Sequence, residues 1–198
     1  MIVYIHGFNS SPRSHKARLL QERLGQLQRG EEFACPALSH GPAAAMADLR
    51  RIVAASPTPV TLVGSSLGGF YATHLAETIG ARAILVNPAI TPQQGLRAYL
   101  GPQRNLYTDE PYELTEQHLA ELASLYVPRL TRPDRYFLMV TTGDEVLDYR
   151  EAVARYEGAR QLIVHGSDHG FADFGEYLDA ALDFCDEGSP AGESASLI

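Results

Sequence analysis

Ser66 lies at the centre of Gly64-Ser65-Ser66-Leu67-Gly68, between a β-branched run ending at Val63 and a helix-compatible stretch from Leu67 to Ile79 that stops at Gly80. A strand turning sharply into a helix would hold this serine at the apex, open for nucleophilic attack. Such a turn strains the backbone and brings the positions two before and two after the serine so close that side chains would collide. Gly64 and Gly68 fill those positions around Ser66, whereas Val63 and Leu67 would fill them around Ser65. Sterics therefore select Ser66. The segment lacks both the Lys-Ser/Thr ending of a P-loop and the Gly-x-Gly-x-x-Gly spacing of a dinucleotide site, which sets it apart from a phosphate-binding glycine loop.

A serine hydroxyl is a weak nucleophile at neutral pH and needs a histidine to take its proton, with a carboxylate to orient that histidine. Around a strand-turn-helix nucleophile the chain order is Ser, then Asp or Glu, then His. Asp144 follows Gly143 just beyond the apolar run Tyr136–Thr141, at the expected carboxyl end of a strand. Asp148 is its rival, but Asp148 and Glu151 have the spacing of a helix N-cap and its N3 partner ahead of a helix over Glu151–Tyr156. Glu145 is the reserve. Two of the seven histidines, His165 and His169, follow Asp144. His165 ends the run Gln161–Val164 and would be tied to a sheet, whereas His169 sits in Gly166-Ser167-Asp168-His169-Gly170, a loop with reach toward Ser66. The cluster of His165, Asp168 and His169 has no recognised ligand spacing, so neither a metal nor a cofactor is expected.

Attack on a carbonyl creates an oxyanion that calls for two preorganised N–H donors. The backbone of Leu67, directly after the nucleophile, is one candidate. The other is Phe8, in the loop His6-Gly7-Phe8-Asn9-Ser10-Ser11 after the first apolar run. Gly7 lets that loop turn inward, and His6 is read as a structural residue that orients it.

Positioning these groups requires strands that end beside one another. Short apolar runs without polar alternation occur at Ile2–Ile5, Pro59–Val63, Ala83–Val86, Tyr136–Thr141 and Gln161–Val164, with a weaker one at Phe33–Cys35. They read as strands covered on both faces. Between them, Ala17, Leu20, Leu24 and Leu27 share one helical face, as do Met46, Leu49 and Ile52 or Val53. After the last run, Phe171, Phe174, Leu178 and Leu182 form another. The alternation predicts an α/β fold, a mainly parallel sheet with helices on both faces and its ligand site at the carboxyl ends of the strands. Residues 91–133 exceed an ordinary connection and carry a helical pattern at Leu119, Leu122 and Leu125 or Tyr126, so they read as a short, cap-like helical insertion over the site. Its Tyr99, Tyr107, Tyr112 and Tyr126 either line a substrate channel or pack the insertion onto the sheet. One domain is expected over 1–186, followed by a tail at 187–198, rich in Gly, Ser, Pro and Ala, that reads as disordered.

A formal net charge of −8 without any basic run argues against nucleic acid or an anionic membrane as the main partner. The apolar runs are too short to span a bilayer. Cys35 and Cys185 match neither a zinc spacing nor a disulfide framework and suit a reducing compartment. Met1–Ile5 runs directly into His6-Gly7, leaving no room for a signal peptide, and a cytoplasmic location is expected.

Taken together, Tyr4-Ile5-His6-Gly7-Phe8-Asn9-Ser10-Ser11-Pro12, Gly64-Ser65-Ser66-Leu67-Gly68-Gly69, Asn87-Pro88-Ala89, Gly143-Asp144-Glu145-Val146-Leu147-Asp148-Tyr149-Arg150 and Asp168-His169 followed by Phe171 give the chain a wider likeness. From Met1 to about Phe184 it resembles the YqiA/YcfP-type family of small bacterial esterases within the α/β-hydrolases. The resemblance implies a compact α/β-hydrolase fold that starts at what larger relatives use as their third strand. It also implies esterase activity, with thioesterase activity on acyl-CoA as an extension, and it supports Ser66, Asp144 and His169. One departure is Gly166-Ser167, where Gly-Gly is expected before the Asp-His pair. The expected partner is a small acyl ester or thioester. An acyltransferase using the same three side chains, or a non-catalytic binding protein on the same scaffold, are the alternatives.

Overall fold

The computed structural model describes residues 1–187, in the order β1 (Ile2–Ile5), α1 (His15–Gln26), β2 (Phe33–Ala34), α2 (Pro42–Ala54), β3 (Thr61–Ser65), α3 (Leu67–Ile79), β4 (Arg82–Val86), α4 (Pro92–Gly95), β5 (Gly101–Arg104), β6 (Pro111–Leu114), α5 (Glu116–Ser124), β7 (Tyr136–Thr141), α6 (Tyr149–Arg155), β8 (Arg160–Val164) and α7 (Leu178–Asp186). Six strands form one sheet in the order β2-β1-β3-β4-β7-β8, and every neighbouring pair is parallel. From β1 the chain crosses first to β2 on one side and later to β3 on the other. The sheet order therefore reverses between β1 and β3, where a crevice opens beyond the carboxyl ends.

Successive strand residues face opposite layers, which explains the lack of polar alternation. Ile2, Tyr4, Val63, Ile84, Phe137 and Met139 pack with Leu20 and Leu24 of α1 and Leu182 and Phe184 of α7. Val3, Ile5, Leu62, Leu85, Leu138 and Val140 pack instead with Leu49 of α2, Phe70 and Leu75 of α3, and Leu119 and Leu122 of α5. Each such fully buried side chain contributes about 1.5–3 kcal/mol by leaving water. Gly80 closes α3 in the left-handed conformation, φ 74°.

Several boundaries differ from the sequence expectation. The strand after Pro59 starts at Thr61 and runs on to Ser65, immediately before the turn. α6 begins two residues early because Asp148 caps it, its carboxylate accepting from the Arg150 N–H at 3.0 Å. Of the apolar face ending the chain, Leu178 and Leu182 lie on α7, Phe174 on a 3-10 turn and Phe171 in the preceding loop, all buried. Between β4 and β7 the chain forms α5 as expected, and also the antiparallel hairpin β5–β6, pairing Gly101 with Leu114 and Arg104 with Pro111. Glu187 follows α7 and pairs with Arg82 and Arg160; the rest of the expected tail, 188–198, lies outside the described residues. Among the described residues no helix is long and apolar enough to cross a membrane.

Candidate active site

β3 ends at Ser65 and α3 starts at Leu67, so Ser66 alone makes the turn, at φ 55° and ψ −121°. This conformation costs a non-glycine residue roughly 1–3 kcal/mol and persists only where neighbours enforce it. The neighbours are the end of β4, the loop just after it and the first turn of α3. Ser66 N–H donates to the Val86 carbonyl at 3.0 Å, and the Ser66 carbonyl accepts from Gly69 at 2.9 Å and Ala89 at 3.1 Å. The glycines have the steric role that their spacing implies: a Cβ on Gly64 would overlap the Gly68 carbonyl, and one on Gly68 would overlap the Ile5 carbonyl of β1. β1 and α3 can meet only because Gly68 has no side chain.

The structure brings Asp144 and His169 to this serine. His169 Nε2 lies 3.0 Å from Ser66 Oγ, and His169 Nδ1 lies 2.7 Å from Asp144 Oδ2. With Nδ1–H donating to the carboxylate, Nε2 is left to accept the serine proton. Asp144 is almost fully enclosed, at 1% side-chain exposure, while His169 keeps 22%. Burial opposes the Asp144 charge, but the hydrogen bond to His169 and those from the Leu147 and Val146 N–H groups, both 2.8 Å to Oδ1, outweigh it and hold the carboxyl below its usual pKa. Asp148 is engaged as the α6 cap. Glu145 accepts from the His169 backbone N–H at 3.0 Å, so it steadies the loop rather than the ring. His165 is exposed at the end of β8.

The His169 loop is itself clamped. Buried Asn87 donates from Nδ2 to the Asp168 and His169 carbonyls at 3.3 Å and to Thr141 Oγ1 at 3.1 Å, while its Oδ1 accepts from the Thr141 N–H at 2.9 Å. One amide ties together β4, β7 and the histidine loop. At Gly166-Ser167, Ser167 adopts φ 56°, a conformation that glycine takes more readily, and its hydroxyl donates to Asp173.

Across the crevice, the β1–α1 loop brings Gly7 against Ser66, and Phe8 borders the same cavity as the serine. A Cβ on Gly7 would lie 3.2 Å from the Ser66 Cβ, so the loop runs as close as its backbone permits. His6 is buried, its Nε2 accepts from the Leu38 N–H at 3.3 Å, and its Nδ1 donates to the Gly7 carbonyl at 3.1 Å. Burial lowers its pKa, consistent with a neutral, loop-orienting ring. Among the described residues neither the Phe8 nor the Leu67 N–H donates a hydrogen bond. The hairpin β5–β6 grips the same loop: Tyr112 donates to Asn9 Oδ1 at 2.7 Å, Asn105 donates to the Ser10 carbonyl at 2.8 Å, and the rings of Tyr99 and Tyr112 stand edge-on to Phe8. Tyr99 and Tyr112 thus pack, whereas Tyr107 lines a cavity.

That cavity, about 330 Å³, is bordered by Phe8, Ser66, His169, Leu106, Tyr107 and Lys16. Lys16 is buried, its Nζ donates to the Gly170 carbonyl at 2.6 Å, and burial pushes its pKa down to about 8. Sequence reasoning missed Lys16, although a signal existed: it stands four residues before Leu20 and eight before Leu24, on the buried face of α1. Asn87 was visible only as part of a family-like motif. Among the described residues no three His, Cys, Asp or Glu side chains converge to hold a metal.

A UPF0227 protein from Vibrio atlanticus is 21% identical over 187 residues, covering 93% of this chain and 98% of that protein. Another, from Pectobacterium carotovorum, is 26% identical over 166 residues, covering 83% and 86%. Among solved structures, mouse alpha/beta hydrolase domain-containing protein 10 superimposes with a TM-score of 0.71 at 18% identity, covering 95% of this chain and 90% of that one. Est1E from Butyrivibrio proteoclasticus, solved with ferulic acid bound, gives 0.67 at 17% identity, covering 94% and 88%. The fold is that of the α/β-hydrolases. Residues 1–186 match the family described as "Uncharacterised protein family (UPF0227)", and the chain belongs to that family.

Proposed function

We propose that this protein is a serine hydrolase acting on carboxylic esters, with acyl-CoA thioesters as a second substrate class. The observation that carries this reading is the line from Ser66 Oγ through His169 to enclosed Asp144, at 3.0 and 2.7 Å. Ser66 attacks the acyl carbonyl as His169 Nε2 takes its proton. The oxyanion that forms meets the Phe8 and Leu67 N–H groups, which have no competing partner among the described residues. Collapse expels the alcohol or thiol with the proton from His169. Water then attacks the acyl-enzyme, gives its proton to His169, and frees the acid and Ser66. Asp144 holds the histidine tautomer and stabilises its cation throughout. The likeness to Est1E and to the mouse hydrolase-domain protein supports the same class of chemistry.

In this reading residues 91–133 form a cap-like insertion on a single domain over 1–186, and Tyr107 supplies part of the acyl-binding wall. The protein works in the cytoplasm, where Cys35 and Cys185, both free and with pKa values raised to about 12 by burial, stay reduced. No cofactor takes part in the scheme.

A fluorophosphonate probe tests the proposal, because it phosphonylates only an activated serine. Wild-type protein should be labelled and should hydrolyse short acyl esters, and Ser66→Ala should do neither. Folded wild-type protein that resists the probe would refute the reading.

A further inference from the structure

Lys16 is placed where a cation is costly. It is buried on the core-facing side of α1, and among the described residues no carboxylate lies within 4.0 Å of its Nζ. The acidic groups whose fields reach it, Asp168 and Asp144, are engaged elsewhere: Asp168 Oδ1 accepts from the Ala172 N–H, and Asp144 holds His169, Val146 and Leu147. A charged amine taken out of water without a counter-ion is destabilising, so its retention calls for a compensating role. One of its three donors goes to the Gly170 carbonyl, which leaves two.

Those two donors belong to a residue that borders the same 330 Å³ cavity as Ser66 and His169. Ser14, two residues earlier and also at that cavity, is buried. Its Oγ, near the Tyr4 hydroxyl, makes no well-formed hydrogen bond among the described residues. Ser14 is the N-cap of the twelve-residue α1, so the first helical N–H groups add partial positive charge at the same place. The cavity thus combines an unpaired cation, an unused hydroxyl and a helix N-terminus beside a nucleophile.

We infer that this cavity selects esters that carry a second, anionic group, a carboxylate held by Lys16 Nζ and Ser14 Oγ while the ester carbonyl lies at Ser66. This inference rests on the hydrolase reading above and sharpens its substrate class. A carboxylate accepts both free Lys16 donors and completes an ion pair that the described residues do not supply, whereas a neutral acyl chain leaves the amine unpaired. The carboxylate can belong to the acid half, as in the half-ester of a dicarboxylic acid, or to the alcohol half, as in an ester of a hydroxy acid.

The test uses the full chain and two matched pairs of esters. One pair compares nitrophenyl hemiglutarate with a neutral nitrophenyl ester of equal length, and the other compares butyrate esters of hydroxybutyric acid and of butanol. Wild-type protein should favour the charged member of one pair by roughly tenfold to hundredfold in kcat/KM, the range of a charge-assisted hydrogen bond. Lys16→Met should collapse that ratio, and Lys16→Arg should restore part of it. No preference in either pair, or a preference that survives in Lys16→Met, would overturn the inference. An equal fall for charged and neutral esters would also overturn it, since that is the signature of a lysine that only braces Gly170. Should Lys16→Met not fold, protection of wild-type Ser66 from the fluorophosphonate by glutarate, and not by valeramide, supports the inference, and equal protection by both defeats it. Fluorophosphonate labelling without any charge preference defeats this inference alone, whereas absence of labelling defeats the hydrolase reading itself.

Discussion

The two ends of the central sheet each open into a cavity of similar size, about 330 Å³ at the carboxyl end and about 350 Å³ at the amino end. Their linings differ in kind. At the amino end the arginines are paired, Arg29 with Glu32 and Asp186, and Arg82 and Arg160 with Glu187, while the Met1 ammonium donates to Thr58 and to the Pro59 carbonyl; Arg82 Nε is buried without a hydrogen bond among the described residues, and Gln28, next to Arg29, holds φ 58°. At the carboxyl end Asn9, Ser66, Asn87, Ser167 and Phe171 hold positive φ, and among the described residues the buried cation Lys16 has no carboxylate and the Phe8 and Leu67 N–H groups have no acceptor. Volume does not distinguish the ends. The clustering of strained residues around Ser66 and a buried cation does, because such features persist where function retains them and the rest of the fold carries their cost.

The sharpest way to break this contrast is to alter one atom at the carboxyl end. In Asp144→Asn, the two backbone N–H groups of Val146 and Leu147 will keep the amide oxygen where Oδ1 now sits, which turns the NH2 group toward His169. His169 Nδ1 must then accept, its proton moves to Nε2, and the ring can no longer take the Ser66 proton. Steady-state ester hydrolysis should fall by roughly 10³–10⁴-fold, as expected for the wrong tautomer, while the melting temperature changes little. A loss below tenfold would remove Asp144 from the mechanism.

How much of this was legible in the sequence depended on how local each constraint is. The turn around Ser66 follows from five residues, because the clash that Gly64 and Gly68 avoid is set by the turn itself. The separation of Asp144 from Asp148 follows from a capping pattern within one helical turn. The hairpin β5–β6 was hidden: Pro102 and Pro111 and the charges of Arg104 and Glu113 spoil a strand pattern, and the pair is held by Asn9 and Ser10, about a hundred positions away in sequence. Lys16 was overlooked for the opposite reason. The face of α1 is legible from its leucines, and a single charged residue on that face has no pattern of its own to mark it.

Lys16 also sharpens the contrast through stability. In the folded protein its pKa falls to about 8 from the ordinary 10.5, so between these values the unfolded chain binds more protons and wild-type stability rises with pH. Below pH 8 the full cost of burying the charge is present, on the order of 3 kcal/mol. Lys16→Met removes it, and the Gly170 carbonyl, at an exposed residue, can bind water instead. The variant should be more stable than wild type by roughly 1–3 kcal/mol at neutral pH, after allowance for the lost hydrogen bond. That gain should shrink steadily from about pH 8 to 10.5. Urea unfolding of both proteins across this range measures it, and a gain independent of pH would show that Lys16 is not buried as a cation.

The smallest effect is expected at the amino end. Arg29 donates to both Glu32 oxygens and to both Asp186 oxygens, and its side chain keeps 26% exposure, so it clasps the 3-10 turn before β2 to the end of α7. Solvent and salt screen such pairs, and Arg29→Ala should cost about 1 kcal/mol, near 2–4 °C in melting temperature for a chain of this length. The cost should fade in about 1 M salt, where screening acts within a few ångströms. Hydrolysis of any ester that the protein accepts should stay within about twofold of wild type, because Arg29 and Ser66 border cavities at opposite ends of a sheet packed on both faces. A larger loss of activity without unfolding would mean that the matched charges at the amino end govern the strained end, and the contrast between them would have to be given up.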